Sequence, residues 1–110
     1  MATINDFEAV DIRVGKIVQV CEFPEARKPA YKLMIDFGPE LGVKRSCGQF
    51  PKRYTKEALI GRLILAVVNL PPRQIGPATS EVLTLGVPDA EGHAILVGPE
   101  REVPIGGRMF

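Results

Sequence analysis

Few side chains in this 110-residue sequence could do covalent or metal chemistry: one histidine, His93, and two cysteines, Cys21 and Cys47. A structural metal cage takes about four cysteine or histidine ligands at close spacing, and these two cysteines stand far apart with no CxxC pattern. Neither a metal site nor a cofactor is expected. A cysteine nucleophile needs a base beside it, and no histidine lies near either thiol in sequence. Both therefore read as reduced thiols acting as small, half-buried apolar filler. His93, in DAEGHAIL, follows a turn and reads as a surface or strand-edge residue rather than a general base. With no glycine-rich phosphate loop, HExxH or GxSxG in the chain, enzymatic activity is not expected.

What remains is ionic. Arg27 to Arg73 holds ten bases (Arg27, Lys28, Lys32, Lys44, Arg45, Lys52, Arg53, Lys56, Arg62, Arg73) against three acids (Asp36, Glu40, Glu57), a local balance of +7. The net charge of +1 conceals this, because the two ends hold four bases and ten acids. Such asymmetry fits a polyanionic partner, and solvation of strand faces is the plainer alternative. No apolar run approaches the roughly 20 residues of a membrane span, and the N-terminus lacks a basic-then-apolar leader. A soluble, cytoplasmic protein with no membrane insertion is the expectation.

These bases must be positioned by a β-rich scaffold of one domain, residues 1–110. Leu63 to Val68 is an unbroken apolar run with the length and composition of a strand buried on both faces, expected at the centre of the sheet. Pro71 and Pro72 end it, and the loop that follows carries Asn69, Arg73 and Gln74. Ile12 to Val20 is a first strand with a bulge or bend expected at Gly15. Tyr31 to Phe37 alternates strictly, with Tyr31, Leu33, Ile35 and Phe37 inward and Lys32 outward. Leu41 to Cys47 should return as its hairpin partner with Leu41 and Val43 inward, so that Lys44 and Ser46 join Lys32 outside. Arg45 then falls on the wrong parity, and requires a bend near Gly48 or a place at the barrel's end. Thr55 caps a short helix that stops at Gly61, and Ser80 to Leu85 makes a fifth strand. Three strands, a short helix and two strands give an all-β fold: a five-stranded OB-fold barrel with one short helix between strands three and four and N- and C-terminal extensions.

In that fold ligands meet the outer face of strands two and three and the loops after strands one and four. The candidates for nucleic-acid binding are therefore Arg27, Lys28, Lys32, Lys44, Arg45, Ser46, Lys52, Arg53, Asn69 and Arg73. Stacking aromatics are scarce, Phe50 and Tyr54 being the candidates, so recognition would rest on backbone charge and shape. Phe23 and Phe50 are the candidates for an exposed apolar peptide-binding surface. Ile4 and Phe7 at the N-terminus, and Ile95, Pro104 and Ile105 at the C-terminus, are the candidate dimer interface.

Asp11 to Ile17 (DIRVGKI), Phe23 to Gly38 (FPEARKPAYKLMIDFG), Asn69 to Pro72 (NLPP) with Arg73 and Gly76, and Ser80 to Leu83 (SEVL) together resemble the tRNA-binding domain family, over nearly the whole chain. The likeness is strongest to the stand-alone bacterial members described as export-related chaperones. It implies an OB barrel with terminal extensions, a homodimer, binding of unfolded preproteins, a link to the translocase ATPase SecA, and tRNA as an alternative ligand; it adds Ser80 to the candidate nucleic-acid contacts. Two positions depart from synthetase-type domains. Cys47 follows Ser46 where a glycine is usual, and Glu81 and Val82 follow Ser80, which places a carboxylate beside the RNA face.

Overall fold

The longest strand organises the molecule, in a computed structural model that describes residues 1–110. Two short helices, α1 (Ile4–Glu8) and α2 (Lys56–Leu59), accompany nine strands: β1 (Ile12–Glu22), β2 (Tyr31–Asp36), β3 (Val43–Gly48), β4 (Leu63–Val67), β5 (Arg73–Ile75), β6 (Ala78–Ser80), β7 (Leu83–Thr84), β8 (Gly86–Pro88) and β9 (Ala94–Leu96). The main sheet runs β3-β2-β1-β4-β7, entirely antiparallel. At 11 residues β1 is long enough to serve two neighbours, pairing Ile12–Lys16 with β4 and Lys16–Glu22 with β2. It curls at a register shift between Ile17 and Gln19, later than the break expected at Gly15. Gly15 has a different task. A Cβ there would stand 2.5 Å from Ile35 Cγ2 and 2.6 Å from the Phe37 ring, so only glycine lets this strand lie against the core.

The expected central strand, β4, is instead second from one end of the order. Its continuous apolar run has partners that the sequence did not locate. Leu65 donates to Val97 O at 2.9 Å while its carbonyl accepts from Leu85 N at 3.0 Å, and the chain at Gly98 lies directly over Leu63. The edge of β4 away from β1 is thus completed by β7, Leu85 and the C-terminal extension. Inside the barrel, Ile17, Leu33, Ile35, Phe37, Leu59 and Ile64 are essentially inaccessible. Leu59 comes from α2, whose N-cap Thr55 accepts from Ala58 N at 3.1 Å and whose stop at Gly61 uses φ 87°. One helical turn suffices because its task is to close the barrel floor between β3 and β4 with a single leucine.

The register of β3 reverses the expected faces. The link from β2 is set by Gly42 N donating to Gly38 O (2.7 Å) and Phe37 N to Gly42 O (3.0 Å). That turn places Ser46 opposite inward-facing Leu33, Lys44 opposite Ile35 and Arg45 opposite Met34. A shift of one residue exchanges the two faces of a strand, so Ser46 points in, Val43 is exposed, and Arg45 needs no bend to reach the outer face. The segment expected as one fifth strand divides in two. β6 folds back on β5 as a projecting hairpin, and β7 returns to β4. Between them, side chains close the barrel seam. Glu81 N donates to Arg45 O (2.8 Å), Arg45 N to Glu81 Oε1 (2.9 Å), and Cys47 N to Ser80 Oγ (3.3 Å).

Both termini are tied to the barrel. Val14 exchanges bonds with the C-terminal segment through Val14 N to Gly107 O (2.9 Å) and Gly106 N to Val14 O (2.8 Å), and Met109 N donates to Ile12 O at 2.8 Å. Asn69 anchors the other end. Its carboxamide donates to Ala9 O and accepts from Asp11 N, each at 2.9 Å. No helix is long and apolar enough to cross a membrane.

Candidate nucleic-acid interface

The pairing of three strands sets the centre of the site. Cys21 of β1 lies opposite Lys32 of β2, and Lys32 lies opposite Cys47 of β3, so the three form one row on the outer face. Met34 and Arg45 form the next row. Two walls rise beside this face: the loop from Phe23 to Ala30 and the β5–β6 hairpin. Crosslinks within that hairpin, Thr79 Oγ1 to Gln74 Oε1 (3.1 Å) and Gln74 Nε2 to Gly76 O (2.7 Å), fix its tip and hold Arg73 at its base.

Between these walls run three clefts of about 390, 620 and 530 Å³. The first two share Glu25 and Cys47, and the second and third share Lys28, Gly48 and Gln49. They form one continuous trough. Six cations border it, Arg27, Lys28, Lys32, Arg45, Lys52 and Arg73, and the only carboxylate among its lining residues is Glu25. Arg45 is partly neutralised by Glu81, its guanidinium 3.1 Å from the carboxylate. That carboxylate is held below its ordinary pKa, chiefly by the Arg45 backbone N–H and then by the Arg45 side chain. Burial pushes the Cys47 thiol up, against the opposing pull of Lys32 and Arg73. Those two cations thus converge on the trough floor from a strand and from the hairpin. Cys47 stays a neutral thiol there.

The remaining candidates separate cleanly. Ser46 and Ser80, 1% and 2% exposed, are structural. Both hydroxyls are used within the seam, Ser46 with Val82 O (3.2 Å) and Thr84 Oγ1 (2.8 Å), and Ser80 with Val82 O (3.0 Å), so neither can reach a ligand. Lys44 lies on the inward parity at the barrel's end, away from Lys32. Asn69 is spent on the N-terminal anchor. Arg53 is clamped by Asp89 at 2.7 Å and Glu91 at 3.1 Å, and its lock holds Asp89 at a pKa of about 2, helped by the His93 backbone N–H. Phe23 and Phe50, both 3% exposed, are buried in their own barrel and present no open apolar surface. Phe23 instead lies under Lys32, whose ammonium stands 5.5 Å from the ring centroid. Phe50 packs edge-on to Tyr54, and Tyr54 is fixed by Tyr31 Oη donating to its carbonyl and Leu96 N donating to its hydroxyl. Neither aromatic offers a stacking face.

At the molecule's other end, Ile4 is 68% exposed and Phe110 fully so, beside half-buried Phe7 and Met109 around a cleft of about 430 Å³. Pro104 is exposed, while Ile105 and Ile95 are half-buried against the chain's own barrel. Sequence reasoning missed Glu25, Met34 and Gln49 as trough residues. Gln49 follows a glycine at the end of β3 and could have been found there; the other two had no distinguishing signal.

Residues 12–108 match a family model described as "Putative tRNA binding domain". Methionine–tRNA ligases from Thermococcus onnurineus and Porphyromonas gingivalis are 36% and 34% identical over 105 residues, 96% of this chain. The chain spans 14% and 15% of the length of those two ligases. It is similar to the crystal structure of chaperone CsaA from Bacillus anthracis, with 49% identity and a TM-score of 0.92 over 100% of this chain and 99% of that one. A CsaA chaperone protein from Picrophilus torridus gives 47% identity and a TM-score of 0.93, each chain covered in full.

Proposed function

The chain belongs to the tRNA-binding domain family, and from that premise we propose that it is a CsaA-like, non-enzymatic binding protein whose basic trough docks tRNA through backbone charge and shape. One observation carries this reading: five cations without an ion-pair partner, Arg27, Lys28, Lys32, Lys52 and Arg73, border one continuous trough with a single carboxylate in its lining. Phe23 and Phe50 line the trough but are only 3% exposed, which supports charge and shape over base stacking. An electrophoretic shift of bulk tRNA by the protein at low salt is the test. Failure to shift tRNA, or an undiminished shift by the variant carrying Lys32→Ala and Arg73→Ala, sinks it.

A second reading has its own support. The match to two CsaA chaperone structures at 49% and 47% identity, end to end, supports a chaperone, and we propose for it unfolded or pre-secretory polypeptides as clients in protein export, with SecA as a partner. Burial of Phe23 and Phe50 moves the apolar surface such a chaperone needs to the end formed by Ile4, Phe7, Met109 and Phe110. A second copy of the chain covering part of that end would give a homodimer. Sedimentation as a monomer at micromolar concentration removes the dimer, and a peptide array on which no segment is retained at high salt removes the chaperone.

A further inference from the structure

The third cleft extends beyond the barrel face on which this fold was expected to hold its ligand. It lies between the turn at Gln49–Lys52 and the β8–β9 hairpin, and is entered from the central cleft past Lys28, Gly48 and Gln49. Its walls are held at a fixed separation. Arg53, in the turn, grips Asp89 Oδ2 at 2.7 Å and Glu91 Oε2 at 3.1 Å, both in the hairpin. The hairpin end is tightened further by Glu91 N and His93 N, which donate to Asp89 Oδ1 at 2.9 and 3.0 Å. The clamp has an electrostatic consequence as well. It uses the two nearby carboxylates, so the groups facing the cleft are Lys28, Lys52, Gln49 and His93 with no acid among them.

Two glycines, Gly48 and Gly86, let the Phe50 ring pack close against the backbone at the floor. A Cβ at Gly48 would stand 2.1 Å from that ring and has no room, and one at Gly86 would press on Ile95 O at 3.1 Å. The space of about 530 Å³ is within the roughly 300–1,000 Å³ of clefts that hold a small organic ligand. A space of that volume has no room for a rigid duplex. A single strand leaving a duplex docked on the barrel face can enter.

We propose that this slot, made by Lys28, Gln49, Lys52 and His93 between the clamped turn and hairpin, takes a single-stranded RNA extension that continues from structured RNA in the main trough. Lys28 and Lys52 meet its phosphates, and Gln49 and His93 supply hydrogen bonds to sugar or base edges. The proposal rests on the tRNA-docking reading of the trough.

The test compares a blunt RNA hairpin with the same hairpin bearing a short unpaired extension, by fluorescence anisotropy across a salt series. Two added phosphate contacts on a single strand steepen the slope of log affinity against log salt by about 1.4 for the extended probe. The variant with Lys52→Ala and His93→Ala should lose about half of that increment and most of the affinity gain, read as the difference between the two probes so that any weakening of the blunt hairpin through loss of the trough cation Lys52 cancels. Lys16→Ala, outside the trough, should change nothing and controls for net charge. Equal affinity for the two probes overturns the slot while leaving trough docking intact, and so does a gain that survives in the double variant. Binding of neither probe overturns both. Displacement of protein-bound hairpin by an acidic peptide, with no gain from the extension, overturns the slot in favour of a polypeptide site.

Discussion

Removing Lys32 and Arg73 together is the perturbation that most directly tests how the trough works. Lys32 stands in the middle row of the outer face, Arg73 at the base of the β5–β6 hairpin, and both act on the Cys47 thiol between them. If the five cations without an ion-pair partner each neutralise one phosphate, log affinity for tRNA should fall against log salt with a slope of about −3.5 to −4.5. Between about 50 and 200 mM salt this amounts to a loss of about 100- to 500-fold. With three cations left, the slope becomes about −2.1 to −2.7, and the same change of salt costs only about 20- to 40-fold. Fluorescence anisotropy with labelled bulk tRNA reads both quantities. Lys44→Ala is the control that the structure supplies, because Lys44 lies on the inward parity of β3 and should leave the slope unchanged. A flat salt dependence in the wild type would show that phosphates are not what the trough holds. A slope unaltered by the double substitution would show that they sit elsewhere on the molecule. Binding of an apolar polypeptide should show no such weakening by salt, so the same titration separates the two proposed ligands.

Three other expectations concern the scaffold. Ser46→Ala removes a buried hydroxyl from the seam and leaves Thr84 without that partner, so it should cost about 1–3 kcal/mol, read as a lowered Tm in thermal denaturation. Gly15→Ala forces a methyl group against Ile35 and Phe37, and overpacking of this kind should destabilise by about 1–3 kcal/mol in urea titration with the m-value unchanged. Asp89 has its pKa lowered to about 2, first by Arg53, so the native state binds fewer protons there than the unfolded chain. Its stabilisation is therefore complete above the ordinary aspartate value of about 3.9 and is lost as pH falls through about 2. Arg53→Ala should flatten this acid limb of a stability-versus-pH curve, and an unchanged limb would refute the clamp.

Residue order alone determined a good deal. Strict alternation in β2 fixed which side chains fill the barrel, because four apolar residues at period two can be buried on one side only. Thr55 and Gly61 marked the ends of α2 through local hydrogen bonding and backbone freedom, and the order of strands around that helix is what pointed to the barrel. The cationic middle of the chain was visible as plain charge.

Tertiary structure decided the rest, for reasons that act over distance. β3 carries no apolar period to orient it, so its faces follow from the geometry of the Gly38–Gly42 turn, and Ser46 and Lys44 exchanged places with Arg45 and Cys47. The apolar run of β4 indicated burial but could not say that its second edge is completed by residues about 30 positions later, near Val97. Which arginines are free was also beyond reach, because Arg45 meets Glu81 and Arg53 meets Asp89 across 36 residues of sequence. Composition counts such charges without seeing their partners. Only the folded chain brings a cation and its carboxylate together, and that pairing determines which cations remain for a ligand.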